Sequence, residues 1–194
     1  MTQDDQYSIE NVDLTDGYYE IEQSLIRNKY TLTDERGNVV LRGKQEMFNL
    51  KEEFPFVNGS GEEAFTVKTD SVLDVAGSYT LLDSVVGEEV VVLDEDLSFL
   101  VETWTIRDPQ TGDAIATVQS KSKLVSVLRH VSNIANIVPN TYEIFNPSDE
   151  KIGEIAGQLS LKDTYEVTID ESSTVPKEAV MASACVLDAL ENNN

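Results

Sequence analysis

The segment Thr174–Leu190 constrains this chain more than any other. Pro176 suits a first helical turn, and Glu178 puts a carboxylate where the helix dipole favours one. Ala, Met and Leu, which recur through the remainder of the segment, are good helix formers. From Ala179 to Leu190 only Ser183 and Asp188 are polar, so a helix over 176–190 is apolar on nearly every side. Such a helix is buried in a large core or in a membrane. At about 15 residues it extends some 22 Å, short of the roughly 30 Å of a hydrocarbon layer. It therefore needs a closed protein interior to receive it. Cys185, the sole cysteine, reads as a small core residue and excludes an internal disulfide.

The rest of the chain supplies strands. One element reads Tyr30-Thr-Leu32-Thr-Asp34, then Gly37 and Val39-Val40. Tyr79-Thr-Leu81-Leu-Asp83 leads to Gly87 and Val90–Val92. Trp104-Thr-Ile106-Arg-Asp108 leads to Gly112 and Ile115, and the degenerate Tyr142-Glu-Ile144-Phe-Asn146 leads to Ile152. An aromatic and an aliphatic two residues apart share one face of a strand. The Asx residue opens a turn, and glycine accepts the positive φ that hairpin turns need. These Asp and Gly residues match neither a calcium loop nor a GxxxxGK[ST] phosphate loop. Stretches Ala64–Lys68, Ser71–Val75, Leu97–Val101 and Tyr165–Ile169 add further short strands, about a dozen in all. No βαβ rhythm is present. The expected fold class is mainly β: a closed antiparallel barrel of about 12 strands around the C-terminal helix.

Charge bears on partners. The 194 residues carry 36 acids against 14 bases, a formal net charge of −22. The acids recur throughout and imply a wholly acidic surface. Molar salt shortens the Debye length from about 10 Å to about 3 Å and removes most of the self-repulsion, so the composition points to a salt-accumulating cytoplasm. General nucleic-acid binding, which rests on Lys and Arg at phosphates, is excluded. The acidic start, with no basic n-region or apolar h-region, is not a signal peptide, and no apolar run approaches the roughly 20 residues of a membrane span. The expected protein is a cytoplasmic monomer. Residues 1–17 read as a flexible acidic tail, and 18–191 as one domain.

The run Ile21–Lys44, with Tyr30, Asp34, Gly37 and Gly43, resembles the first hairpin of LURP-one-related proteins. Phe65–Lys68, Tyr79–Asp83, Trp104–Gly112 and the helix 176–190 come in that family's order, so the resemblance spans about 18–191. It implies the tubby C-terminal-like fold, a 12-stranded barrel around a central helix, shared with phospholipid scramblases. The acidic surface would make this a halophilic, archaeal-type member. The family has no established enzymatic activity. Tubby domains bind phosphoinositides through basic residues outside the barrel, but no position here matches that site by motif. Scramblase-like lipid transfer lacks its cysteine cluster and proline-rich N-terminal region.

One stretch breaks the acidic pattern. No acid lies between Asp113 and Glu143, where Lys121, Lys123, Arg129 and His130 fall. Leu124, Val127, Leu128, Val131, Ile134, Ala135 and Val138 recur at helical spacing and predict an amphipathic helix over about 122–138. Its apolar face either caps one end of the barrel or meets an anionic membrane or an acidic partner. Lys121, Lys123, Val127, Arg129 and His130 are the candidate contacts. Enzyme readings find little: His130 is the only histidine, no GxSxG or HExxH motif accompanies it, and His/Cys metal clusters are excluded by count. Paired-carboxylate hydrolysis has no distinguishable pair among so many surface acids. No catalytic residue, cofactor or metal is expected. The reading is a non-enzymatic interaction or ligand-binding module for a protein partner or lipid; the alternative is a peripheral membrane or phospholipid-associated protein.

The acidic surface sets a first prediction. Chemical-denaturation midpoints are expected to fall steadily as KCl is lowered from molar levels; undiminished stability near about 0.1 M, where the Debye length is about 10 Å, would refute the halophilic reading.

Overall fold

Strands form where apolar and polar residues alternate, and their register puts every apolar set on the same side of one sheet. They are β1 (Tyr18–Ser24), β2 (Lys29–Asp34), β3 (Val39–Lys44), β4 (Phe54–Asn58), β5 (Glu63–Thr69), β6 (Ser78–Asp83), β7 (Glu89–Asp96), β8 (Thr103–Arg107), β9 (Ala114–Ser120), β10 (Thr141–Phe145), β11 (Lys151–Gln158) and β12 (Asp163–Ile169). A computed structural model describes residues 7–24, 29–44, 53–69, 78–96, 103–121, 141–158 and 163–191. Each strand pairs antiparallel with its sequence neighbours, and β1 pairs with β12 from Tyr18↔Thr168 to Gln23↔Asp163, closing a 12-stranded barrel. Closure leaves no unpaired edge.

The helix α1 (Lys177–Glu191) lies where the sequence requires it. Every residue from Ala179 to Leu187 is buried, none more than 3% exposed, so the helix meets protein on all sides. The wall facing inward contributes Tyr19, Tyr30, Phe56, Phe65, Leu81, Ile106 and Ile144, all essentially inaccessible. Small residues on α1 leave room for these large ones. Ser183, the one polar residue in the buried stretch, donates its hydroxyl to the Ala179 carbonyl at 2.7 Å and needs no other partner.

The hairpin repeat holds, and the structure adds a copy. Phe54-Pro-Phe56-Val-Asn58 occupies β4 as Tyr30–Asp34 occupies β2. The first aromatics, 30, 54, 79, 104 and 142, are spaced 24, 25, 25 and 38 apart, so the longer interval contains the stretch expected to insert a helix at 122–138. That stretch, and the expected strands Ser71–Val75 and Leu97–Val101, lie outside the described residues. Gly37, Gly61, Gly87 and Gly112 take φ between 75° and 88°, and in the copy lacking glycine Asp149 takes φ 61° instead. Aspartate tolerates that region because its short side chain can bond locally.

The domain does not begin at β1. Tyr7, Ile9 and Leu14 are buried at 9%, 3% and 6% exposure and join the same core. Where the sequence suggested a free tail over 1–17, residues 7–17 pack on the barrel as a strap; 1–6 lie outside the described residues. Three apolar anchors outweigh the acidic neighbours that made the segment read as a tail.

Since Ala182 is fully buried between α1 and the barrel wall, adding volume there is expected to destabilise: Ala182→Leu should lower the unfolding free energy by about 1–3 kcal/mol, read from urea denaturation midpoints.

Candidate functional site

The turns joining β2–β3, β4–β5, β6–β7, β8–β9 and β10–β11 all lie at one end of the barrel, and each opens on an Asx residue. In three of them the side-chain oxygen accepts the backbone N–H groups two and four residues on: Asp34 from Arg36 and Asn38, Asn58 from Ser60 and Glu62, Asn146 from Ser148 and Glu150. The other two turns are one residue wider. Oδ1 of Asp83 accepts from Val85 and Val86, and Oδ1 of Asp108 from Gln110 and Thr111. These two carboxylates are also the buried ones, at 2% and 4% exposure. Their second oxygens face the strap.

The strap crosses successive hairpin tips. The Tyr7 hydroxyl donates to Asp108 Oδ2 at 2.8 Å, and the Glu10 N–H donates to Asp83 Oδ2 at 2.7 Å. Asn11 Nδ2 donates to the Glu63 carbonyl at 3.2 Å, while Asn58 Nδ2 donates to the Asn11 carbonyl at 3.1 Å. A turn closed by Val12 N–H on the Ile9 carbonyl, with Asn11 at φ 64°, redirects the chain. The Leu14 N–H then donates to Glu178 Oε1 at 3.2 Å, and Lys177 Nζ donates to the carbonyls of Thr15 and Asp16 at 2.7 and 2.9 Å. The strap thereby ties three hairpin tips to the first turn of α1.

Electrostatics at this rim are set by burial and local charge. Burial pushes the Tyr7 phenol up to about 12, helped by its bond to Asp108 and by the charges of Asp108 and Asp113. Asp108 is held below the usual carboxylate value, first by the Thr111 N–H and then by its other donors, against the cost of its burial. Glu178 is raised by burial, only partly offset by its own N–H and that of Leu14. Beside Tyr7 lies a recess of about 320 Å³, lined by Asp108, Asp113, Ala114, Ile115, Pro147 and Val175 among others. It sits between the β8–β9 and β10–β11 tips, one step beyond the last tip the strap covers. Carboxylates and apolar side chains share its wall, with no cationic residue among those lining it.

With the barrel, its central helix and this rim in place, comparison with known proteins assigns the family. The profile of the LURP-one-related family matches residues 39–188, from the start of β3 into α1. The chain belongs to the LURP-one-related family. Its fold is similar to an X-ray structure of a protein from Arabidopsis thaliana, with a TM-score of 0.57, 13% sequence identity, and coverage of 90% of this chain and 91% of that one. A search of the curated proteins found no match. The strap, β1 and β2 precede the matched stretch, so the LURP-one-related profile does not include the segment that crosses the rim.

Of the contacts expected from the sequence of this LURP-one-related chain, only Lys121 is among the described residues. Its Nζ lies 3.3 Å from Glu154 Oε2 and 3.9 Å from Glu143 Oε1, where Lys151 joins the same two carboxylates at 2.7 and 2.9 Å. Lys121 thus belongs to a half-exposed four-charge network on the outer wall. Lys123, Val127, Arg129 and His130 lie outside the described residues. No described helix is long and apolar enough to cross a membrane, and the described residues contain no group of three or more His, Cys, Asp or Glu able to hold a metal ion. Cys185 is buried in α1. Sequence reasoning missed the rim because Asp83 and Asp108 look like the other turn-opening residues. The wider spacing to their glycines, four residues rather than three, was the available signal.

These contacts set two expected outcomes. Tyr7→Phe removes a hydrogen bond to a charged acceptor and is expected to cost about 1.5–3 kcal/mol in a urea unfolding series. A carboxyl whose folded pKa exceeds its unfolded value of 4.5 stabilises the fold at low pH, and that contribution is lost as pH rises through the folded value. The Tm of wild type relative to Glu178→Gln is therefore expected to fall as pH rises from 4.5 through that window and to level off above it.

Proposed function

We propose that this LURP-one-related chain is a non-enzymatic interaction module that engages its ligand at the strapped rim, outside the barrel wall. The observation that carries this reading is the complete burial of Ala179–Leu187, which fills the space where a ligand-carrying barrel would hold a small molecule. The recess beside Tyr7 is the described concavity with mixed character, and its size of about 320 Å³ is at the lower bound of ordinary ligand pockets. The non-enzymatic reading draws support from how the rim carboxylates are used. Asp83 and Asp108 each hold backbone N–H groups with one oxygen and the strap with the other. Both are thereby committed to holding structure, unlike the free carboxylate pairs of hydrolytic sites. A protein partner suits such a site, with apolar contact and a few directed polar groups.

The lipid-associated alternative, of tubby or scramblase type, rests on 121–138. Its one described cation, Lys121, is engaged by Glu154 and Glu143, so nothing described favours that reading over the rim.

The test fills the recess from an exposed position. Ala114→Trp lies at the start of β9 and should leave the core intact. In affinity capture at molar KCl, with bound proteins and lipids both analysed, a polypeptide retained by wild type is expected to be lost from Ala114→Trp. Equal retention by both, or recovery of phospholipid alone, would overturn the proposal.

A further inference from the structure

We infer that the strapped end of the barrel is a peptide-recognition groove which the chain fills in cis with its own residues 7–16. A partner protein presenting the spacing aromatic-x-aliphatic-x-Asn/Gly-x-x-aliphatic takes the same place in trans. The inference rests on the rim reading above and supplies the kind of partner.

The contacts between groove and strap are of the type that recognises main chain. Asp83 and Glu178 accept the N–H groups of Glu10 and Leu14, while Asn58 and Lys177 donate to the carbonyls of Asn11, Thr15 and Asp16. None of these bonds depends on the identity of the strap residue it holds. Specificity comes from three sockets, which bury Tyr7, Ile9 and Leu14, and from the turn at Ile9–Val12, where Asn11 at φ 64° calls for Asn or Gly. Division of labour between main-chain hydrogen bonds for affinity and side-chain pockets for selection is how proteins read short segments of other chains. The Tyr7 hydroxyl adds one directed bond, to Asp108. Beyond it the recess gives residues preceding a partner's aromatic a lined surface.

The strap forms no strand in any described ladder, and Gly17 links it directly to β1 at Tyr18. A segment on so short a tether has an effective concentration on the order of millimolar, so it shields the groove from weak competitors and yields to a strong one. The groove is consequently both formed and guarded in the isolated protein.

The experiment uses the full chain and a fluorescent synthetic peptide of residues 6–17, in molar KCl so that its acids are screened from the acidic rim. Fluorescence anisotropy is expected to show weak binding to wild type and about tenfold or more tighter binding to full-length Ile9→Asp, whose groove is intact and whose cis occupant is weakened. Full-length Tyr7→Phe, which keeps every apolar anchor but loses the bond to Asp108, is likewise expected to bind more tightly, by about tenfold. A peptide of the same composition in scrambled order is expected not to bind. No gain in either variant, with near-UV dichroism unchanged in Tyr7→Phe, overturns the inference, as does equal binding of the scrambled peptide. Concentration-dependent doubling of mass in wild type, abolished by Ile9→Asp, would identify a second copy as the occupant and overturn the partner-protein assignment. Recess-dependent capture that persists while these peptide results are negative would leave rim binding standing and remove only the groove.

Discussion

Everything in this molecule depends on keeping one all-apolar helix out of water. The nine consecutive residues Ala179–Leu187 are buried on every side, and no single sheet face could cover them. At roughly 25 cal/mol for each Å² of apolar surface removed from water, encirclement stabilises far more than packing one stripe would. The wall and the helix need each other. A 12-stranded barrel without α1 would enclose a void lined by Tyr30, Leu32, Phe65, Leu81 and Ile106, and α1 without the barrel would have an exposed apolar surface all round. The β1–β12 ladder that closes the sheet is therefore as much part of the helix's environment as any side chain.

The same interior packing explains why the proposed site lies at an end. With the lumen occupied, the polar groups that can meet another molecule are, among the described residues, those of the hairpin tips and the outer wall. Turn chemistry supplies the tips: an Asx oxygen takes two backbone N–H groups, which is the standard way for such a residue to hold a turn. A carboxylate has a second oxygen, and in the two wider turns that oxygen is aimed at the strap. Asp83 and Asp108 thereby hold a second segment as well as a turn, without any change of residue type.

Much of the fold was legible in the sequence. The aromatic-x-aliphatic-x-Asx spacing followed by an apolar return marks one face of a strand and its turn in β2, β6, β8 and β10, and the helix boundaries differ from the expected 176–190 by a single residue. The copy at Phe54–Asn58 is hidden because Pro55 sits inside it, a residue disfavoured within strands. Its side chain is exposed on the outer face. The strap is hidden for a different reason. Tyr7-Ser-Ile9-Glu-Asn11 carries the same aromatic-x-aliphatic-x-Asx spacing as the hairpins, but no apolar return strand follows it, and acidic neighbours disguise the segment as a tail. Among the contacts proposed from the basic stretch, Lys121 is matched to acids 22 and 33 residues away, a partnership that only strand neighbours in space could reveal.

By itself the sequence determined the architecture: local hairpin chemistry repeats along the chain, and an apolar helix of fixed length admits few enclosures. Both are local properties, set by period and composition, and they survive without knowledge of long-range contacts. Only the tertiary structure decided which end carries the strap. The Tyr7–Asp108 bond joins residues 101 apart and the Leu14–Glu178 bond residues 164 apart. Nothing in the local sequence distinguishes an aspartate that closes a turn from one that closes a turn and holds another segment. That distinction belongs to the direction of a single oxygen, which is fixed only when the barrel closes.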